Sequence, residues 1–103
     1  MQNLKPQFAY LRDSEMANRV KEFDWSSTTL GPISTWPESL KTAAGICLNS
    51  KFPMHIWWGE DLICLYNDAY IQIIGSMHPE SLGLPAKKIW PDIWDVIEPE
   101  KFN

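Results

Sequence analysis

The sequence lacks most of the features that announce a function outright. No apolar run approaches the roughly 20 residues that a membrane-spanning helix needs, so the 103 residues predict no contact with a bilayer. The opening Met1-Gln2-Asn3-Leu4-Lys5-Pro6 has neither the apolar stretch nor the small-residue cleavage site of a secretory signal, which argues against export. Cysteine is scarce. Cys47 and Cys64 lie far apart among apolar neighbours and read as small buried hydrophobes rather than a disulfide or redox pair. Basic clusters are scarce too: a formal charge of −4, with Lys87-Lys88 the longest basic run in view, leaves no concentrated positive face for nucleic acid. There is no glycine-rich phosphate loop and no Gly-x-Ser-x-Gly elbow. The spacings of His55, His78, Cys47 and Cys64 match no metal-ligand pair, so no metal site is expected. Asp92, Asp95 and Glu98 read as first-turn and solvent-facing acids of a short helix rather than as acid-base partners.

What is abundant is tryptophan, with six residues in so short a chain, enough large apolar surface for a core or a ligand pocket. The length permits one small domain. Residues 1–12 show no sustained period and read as an arm; the domain then spans 13–103. Asp13 or Ser14 caps a predicted helix through about Phe23, with Met16, Val20 and Phe23 on one face. The turn-rich stretch from Trp25 to Pro32 predicts a loop. Thr35-Trp36-Pro37-Glu38 has the spacing of a capping box, opening a helix from Trp36 to Asn49 whose buried stripe is Leu40, Ala43, Ala44, Cys47 and Leu48. Two β-prone runs follow, Met54 to Trp58 and Leu62 to Tyr66, joined by Gly59-Glu60-Asp61 as a hairpin. His55 falls on the face opposite Met54, Ile56 and Trp58. Asn67 then suits the N-cap of a short helix ending at Gly75 in a left-handed conformation, and Pro79, Pro85 and Pro91 each mark the start of a brief helical turn. The expected fold class is α+β.

The run Phe52-Pro53-Met54-His55-Ile56-Trp57-Trp58-Gly59, continuing through Tyr66-Asn67-Asp68-Ala69-Tyr70 to Ile74-Gly75, resembles the start of a PAS sensory domain. Phe23-Asp24-Trp25-Ser26, Leu30-Gly31-Pro32, Trp36-Pro37-Glu38-Ser39-Leu40, His78-Pro79-Glu80-Ser81-Leu82-Gly83 and Trp90-Pro91-Asp92-Ile93-Trp94-Asp95 extend the resemblance over about residues 20–99. Together they are similar to a subfamily found at the front of bacterial sensor and hybrid histidine kinases. The resemblance implies N-terminal helices, an antiparallel hairpin and short helices, truncated before the last three strands of a five-stranded sheet. Two strands alone are marginal in water, and an unpaired edge invites self-association.

By the same resemblance the chain is a cytoplasmic sensory module of a two-component system. It is not itself an enzyme, and kinase chemistry would belong to a downstream output domain. Trp58, Tyr70, Ile74, Trp90 and Trp94 are the candidate lining of a ligand pocket, since aromatic and aliphatic walls suit small molecules; the plainer reading is that they pack the core. The cofactor is unknown: the Asn-Cys-Arg-Phe context of flavin photosensors is absent, and neither His sits in a haem motif. The expected partners are a small molecule, an output domain and a second copy of the chain. A homo-oligomerisation or protein-interaction module without a ligand is the alternative, and a carbohydrate-binding module with exposed Trp faces is a third class.

Overall fold

A computed structural model of the chain describes residues 11–91. Ser14 opens the first helix, α1 (Glu15–Glu22), as its sequence predicts: the hydroxyl accepts from the Ala17 amide at 3.0 Å, and Met16, Ala17 and Val20 are buried. The stretch that follows, expected only as a loop, contributes to the core. Trp25 lies in a 3₁₀ turn (Trp25–Ser27), is buried, and donates its indole N–H to the Val20 carbonyl at 2.7 Å. Its ring meets Phe23 at 4.5 Å and Trp36 at 5.2 Å between centroids. Trp36 donates to the Gly31 carbonyl at 2.8 Å. Each indole thus buries its apolar body while its one polar atom is bonded to the local backbone.

The expected capping box does not form. Proline disfavours helical geometry in the residue before it, and Trp36 is extended, with ψ 141°. Helix α2 therefore starts two residues later than predicted, at Glu38 (Glu38–Asn49), with Pro37 at the N-cap and no side-chain cap. The Thr35 hydroxyl instead donates to the Pro32 carbonyl at 2.7 Å and closes a 3₁₀ turn (Ile33–Thr35). The predicted stripe holds: Leu40, Ala44, Cys47 and Leu48 are buried and Ala43 is half-buried.

The hairpin is present, with β1 (His55–Trp58) antiparallel to β2 (Ile63–Tyr66) and Trp57 opposite Cys64. Alternation puts His55, Trp57, Cys64 and Tyr66 on one face, and Ile56, Trp58, Ile63 and Leu65 on the other. The outer edge of β2 is covered by the segment around Pro85: Cys64 N–H bonds the Leu84 carbonyl, Gly83 N–H the Cys64 carbonyl, and Ala86 N–H the Leu62 carbonyl, each at 2.9 Å. All four residues of β2 are buried in consequence. The Asn67 N–H bonds Met54 at 3.2 Å across the ladder, so alternation turns the main-chain groups of His55 away from β2.

Helix α3 (Asp68–Ile74) follows at once and ends at Gly75, whose φ of 61° is positive as expected. Its ψ of −127° lies outside the left-handed helical well, in a region that glycine alone reaches readily. A 3₁₀ turn (Gly75–Met77) comes next. Pro85 precedes α4 (Ala86–Ile89), whereas the residues around Pro79 form turns rather than the predicted helix. Among the described residues the architecture is α+β, four helices around a two-stranded antiparallel sheet. No described helix is long and apolar enough to cross a membrane. The elements expected after Pro91, with Trp94, lie outside the described residues.

Asn67 joins these parts. Its Oδ1 accepts from the Met54 amide at 3.2 Å and the Tyr70 amide at 3.1 Å. Its Nδ2 donates to the carbonyls of Cys47 at 2.9 Å and Phe52 at 2.8 Å, with Ser50 at 3.4 Å sharing a hydrogen. The side chain is fully buried with its bonding capacity filled. Asn67→Ala leaves several buried groups unpaired, and urea denaturation should show a loss of about 3 kcal/mol or more. Asn67→Asp keeps the oxygen that caps α3 but points a carboxylate at three carbonyls, so it should lose comparable stability; a near-neutral Asp variant would show that the cap alone matters.

Candidate functional site

The strand period decides which rings can meet. His55 and Trp57 project from one face of β1, and α3 and the end of α4 bring Tyr70 and Trp90 to that face. The His55 ring lies 4.8 Å from Tyr70, 5.4 Å from Trp57 and 6.3 Å from Trp90, and Trp57 lies 5.5 Å from Trp90. Four rings from three elements form one aromatic surface, with Tyr66 next to it at 5.9 Å from Tyr70. Its chemistry is that of flat, weakly polar walls suited to a planar or cationic group.

The five residues singled out from the sequence separate in space. Tyr70 and Trp90 belong to this cluster. Trp58 does not, because it lies one residue along the strand from Trp57 and faces the other way; Trp57 takes the place expected of it. Ile74 is buried in the core, and Trp94 is outside the described residues. Trp57 and His55 are the members that the sequence reading passed over, although a period of two applied from His55 would have paired them. None of the five described tryptophans is exposed, which leaves the carbohydrate-binding class without its flat exposed face among the described residues.

A second constellation had no sequence signal. The Tyr66 hydroxyl lies 2.7 Å from His78 Nδ1, and His78 Nε2 lies 2.7 Å from Glu15 Oε2, which also accepts from Arg19 Nε at 2.8 Å. These partners are separated by up to 63 positions in sequence. His78, the C-cap of the 3₁₀ turn Gly75–Met77, is the middle of a three-residue chain. The arrangement looks like a nucleophile, base and orienting acid, but the electrostatics oppose that use. Burial pushes the Tyr66 hydroxyl up to about 12, which disfavours the phenolate a nucleophile needs. Burial likewise pushes the thiols of Cys47 and Cys64 up to about 12, so both are inert as thiolates. Arg19 and His78 hold the Glu15 carboxyl below the usual 4.5.

Among the described residues no group of three or more His, Cys, Asp or Glu is placed to hold a metal ion. A groove of about 430 Å³ runs on another side of the molecule, floored by Phe23, Leu82 and Leu84 and rimmed by Asp61, Glu80 and Lys88. It contains none of the residues proposed from the sequence. No protein-family model, no curated protein and no solved structure matches the chain.

Desolvation among its neighbours holds the His55 imidazole below its ordinary 6.5. The folded state therefore binds this proton less readily than the unfolded state, and the site's contribution to stability falls as pH drops through 6.5 toward the lower folded value. Thermal melts across that window should show His55→Gln losing less stability on acidification than the parent chain; parallel pH profiles would remove His55 from the account.

Proposed function

We propose that this chain is a non-catalytic sensory or regulatory module of PAS type from a bacterial two-component protein. It would act in the cytoplasm, with a separate output domain carrying any kinase chemistry. The aromatic surface of His55, Trp57, Tyr70 and Trp90 is the observation that supports this reading best. It combines a ligand-sized set of rings with attachment to three different elements, so an occupant that prefers one arrangement of β1, α3 and α4 would shift the population of that arrangement. The sequence resemblance supplies the family, and the hairpin followed directly by an Asn-capped helix and a glycine is compatible with it. In this reading the hairpin is the beginning of a larger sheet. The raised proton affinities of Tyr66, Cys47 and Cys64 favour binding over chemistry.

The test is a small-molecule screen read through the tryptophan indole N–H resonances. Binding should move the signals of Trp57 and Trp90 while leaving Trp25 and Trp36, which are tied to Val20 and Gly31, in place. Tyr70→Ala should then weaken the selected ligand about tenfold, equivalent to about 1.4 kcal/mol. A ligand that moves all the indoles alike, or ignores Tyr70→Ala, would refute this site.

The alternative is a homo-oligomerisation module, and the outward main chain of His55 on β1 favours it specifically. Sedimentation should then show association that rises with concentration, and His55→Pro, which removes an edge donor without touching the ladder to β2, should return the chain to monomer. A monomer at all concentrations would dismiss this alternative.

A further inference from the structure

Two grades of polar tie occur in this chain, and they differ in their access to water. The side chain of Asn67 is itself fully buried. The side-chain ties to the first turn of α1 reach nearer the surface, where the side chains of Glu15 and His78 are 46% and 12% exposed. Surface ties cost less to open, because water replaces the lost partners, and local opening draws on such regions. The contacts converge on the first turn of α1. Asp68 accepts from the Met16 amide through Oδ1 at 2.7 Å and from the Glu15 amide through Oδ2 at 3.2 Å. A carboxylate can only accept, so His78 Nε2 donates to Glu15 while Nδ1 faces the Tyr66 hydroxyl. Tyr66 ends β2 and Asp68 begins α3, so both lie beside Asn67 in the chain.

We propose that Tyr66, His78, Glu15 and Asp68 form a latch that fixes α1 to the junction of β2 and α3. When it breaks, α1 opens as a unit while Asn67 keeps α2, the hairpin and α3 together. The opening turns about the segment from Phe23 to Trp25 and uncovers the buried side chains of Met16 and Val20. The latch needs no ligand, and it stands or falls apart from the sensory reading. The charged and titratable groups around the latch are Glu15 and Arg19 from α1, Cys64 and Tyr66 from β2, Asp68 from α3 and Glu80 from the turn after Pro79. The Glu15 carboxyl is depressed by its hydrogen bonds to Arg19 and His78, so its share of the grip is complete above 4.5 and is lost as pH falls through the lower folded value.

Residue-resolved amide hydrogen exchange on the whole chain tests this at neutral pH, comparing the parent with His78→Leu and Glu15→Gln. The amides of α1 should exchange about tenfold faster in each variant while those of β2 are unchanged, and the double variant should be no faster than the stronger single. His78→Leu leaves the charges of α1 intact, which separates the latch from loss of a favourable charge at a helix N-terminus. Should that variant not fold, an acid series on the parent takes its place: α1 protection, corrected for intrinsic exchange, should fall below pH 4.5 before that of β2. Unchanged α1 amides, or α1 and β2 losing protection together, would overturn the latch.

Discussion

A primary amide buried without water must find partners for two hydrogens and an oxygen, and at Asn67 three stretches of chain supply them. The end of α2 and the link to β1 accept its hydrogens at Cys47 and Phe52, while its oxygen takes the amides of Met54 and Tyr70. A hydrophobic residue of the same volume would fill the space yet leave the end of α2 and the start of α3 with unpaired polar groups, which are costly in a low-dielectric interior. The position of α2 over the hairpin, the start of β1 and the direction of α3 all depend on this one side chain. It also places its neighbours: Tyr66 is directed toward His78 and Asp68 toward α1.

The tryptophans are divided by what their indole nitrogens can reach. Trp25 and Trp36 find carbonyls a few residues away, Val20 and Gly31, and settle into the core as self-contained units. Those of the hairpin are sorted by pleat. Trp57 and Trp58 are adjacent in sequence and for that reason on opposite faces, so the sheet gives one ring to the cluster with His55 and the other to the opposite face. Small shifts in strand register would exchange them. The bonds from Leu84 and Gly83 along β2, with Asn67 at the strand's end, oppose such a slip.

Where sequence reasoning succeeded, the interaction was local or strictly periodic. Ser14 to Ala17, Asn67 to Tyr70 and the stripe along α2 depend on spacings of three and four, and the hairpin on alternation. It failed at Thr35-Trp36-Pro37-Glu38, where two local rules competed and the steric demand of Pro37 on Trp36 outweighed the capping box. It failed differently at Trp25, where turn-forming neighbours hid a core residue. The aromatic surface was half legible: Tyr70 and Trp90 were named from the sequence, whereas Trp58 lies opposite His55, as alternation predicts, and so belongs to the other face. The Tyr66, His78 and Glu15 chain was not legible at all. Contacts across 63 positions leave no trace in local pattern.

The two constellations meet at one residue, and that bears on how such a chain would carry a signal. Tyr66 is fully buried, its ring touches Tyr70 of the aromatic surface at 5.9 Å, and its hydroxyl bonds His78 at the head of the latch. Spatial continuity is not coupling; coupling requires an element with two arrangements that both sites bias. Here α1 is the candidate element, because surface carboxylates hold it whereas a buried amide holds everything behind it. An occupant that displaces Tyr70 must either move Tyr66, lengthening its bond to His78, or pack against it unchanged. In the first case the occupant destabilises the closed α1 by no more than its own differential affinity for the two arrangements. In the second the latch and the aromatic surface are independent features of one fold. The rigidity of Tyr66, set by Asn67 beside it, decides between them.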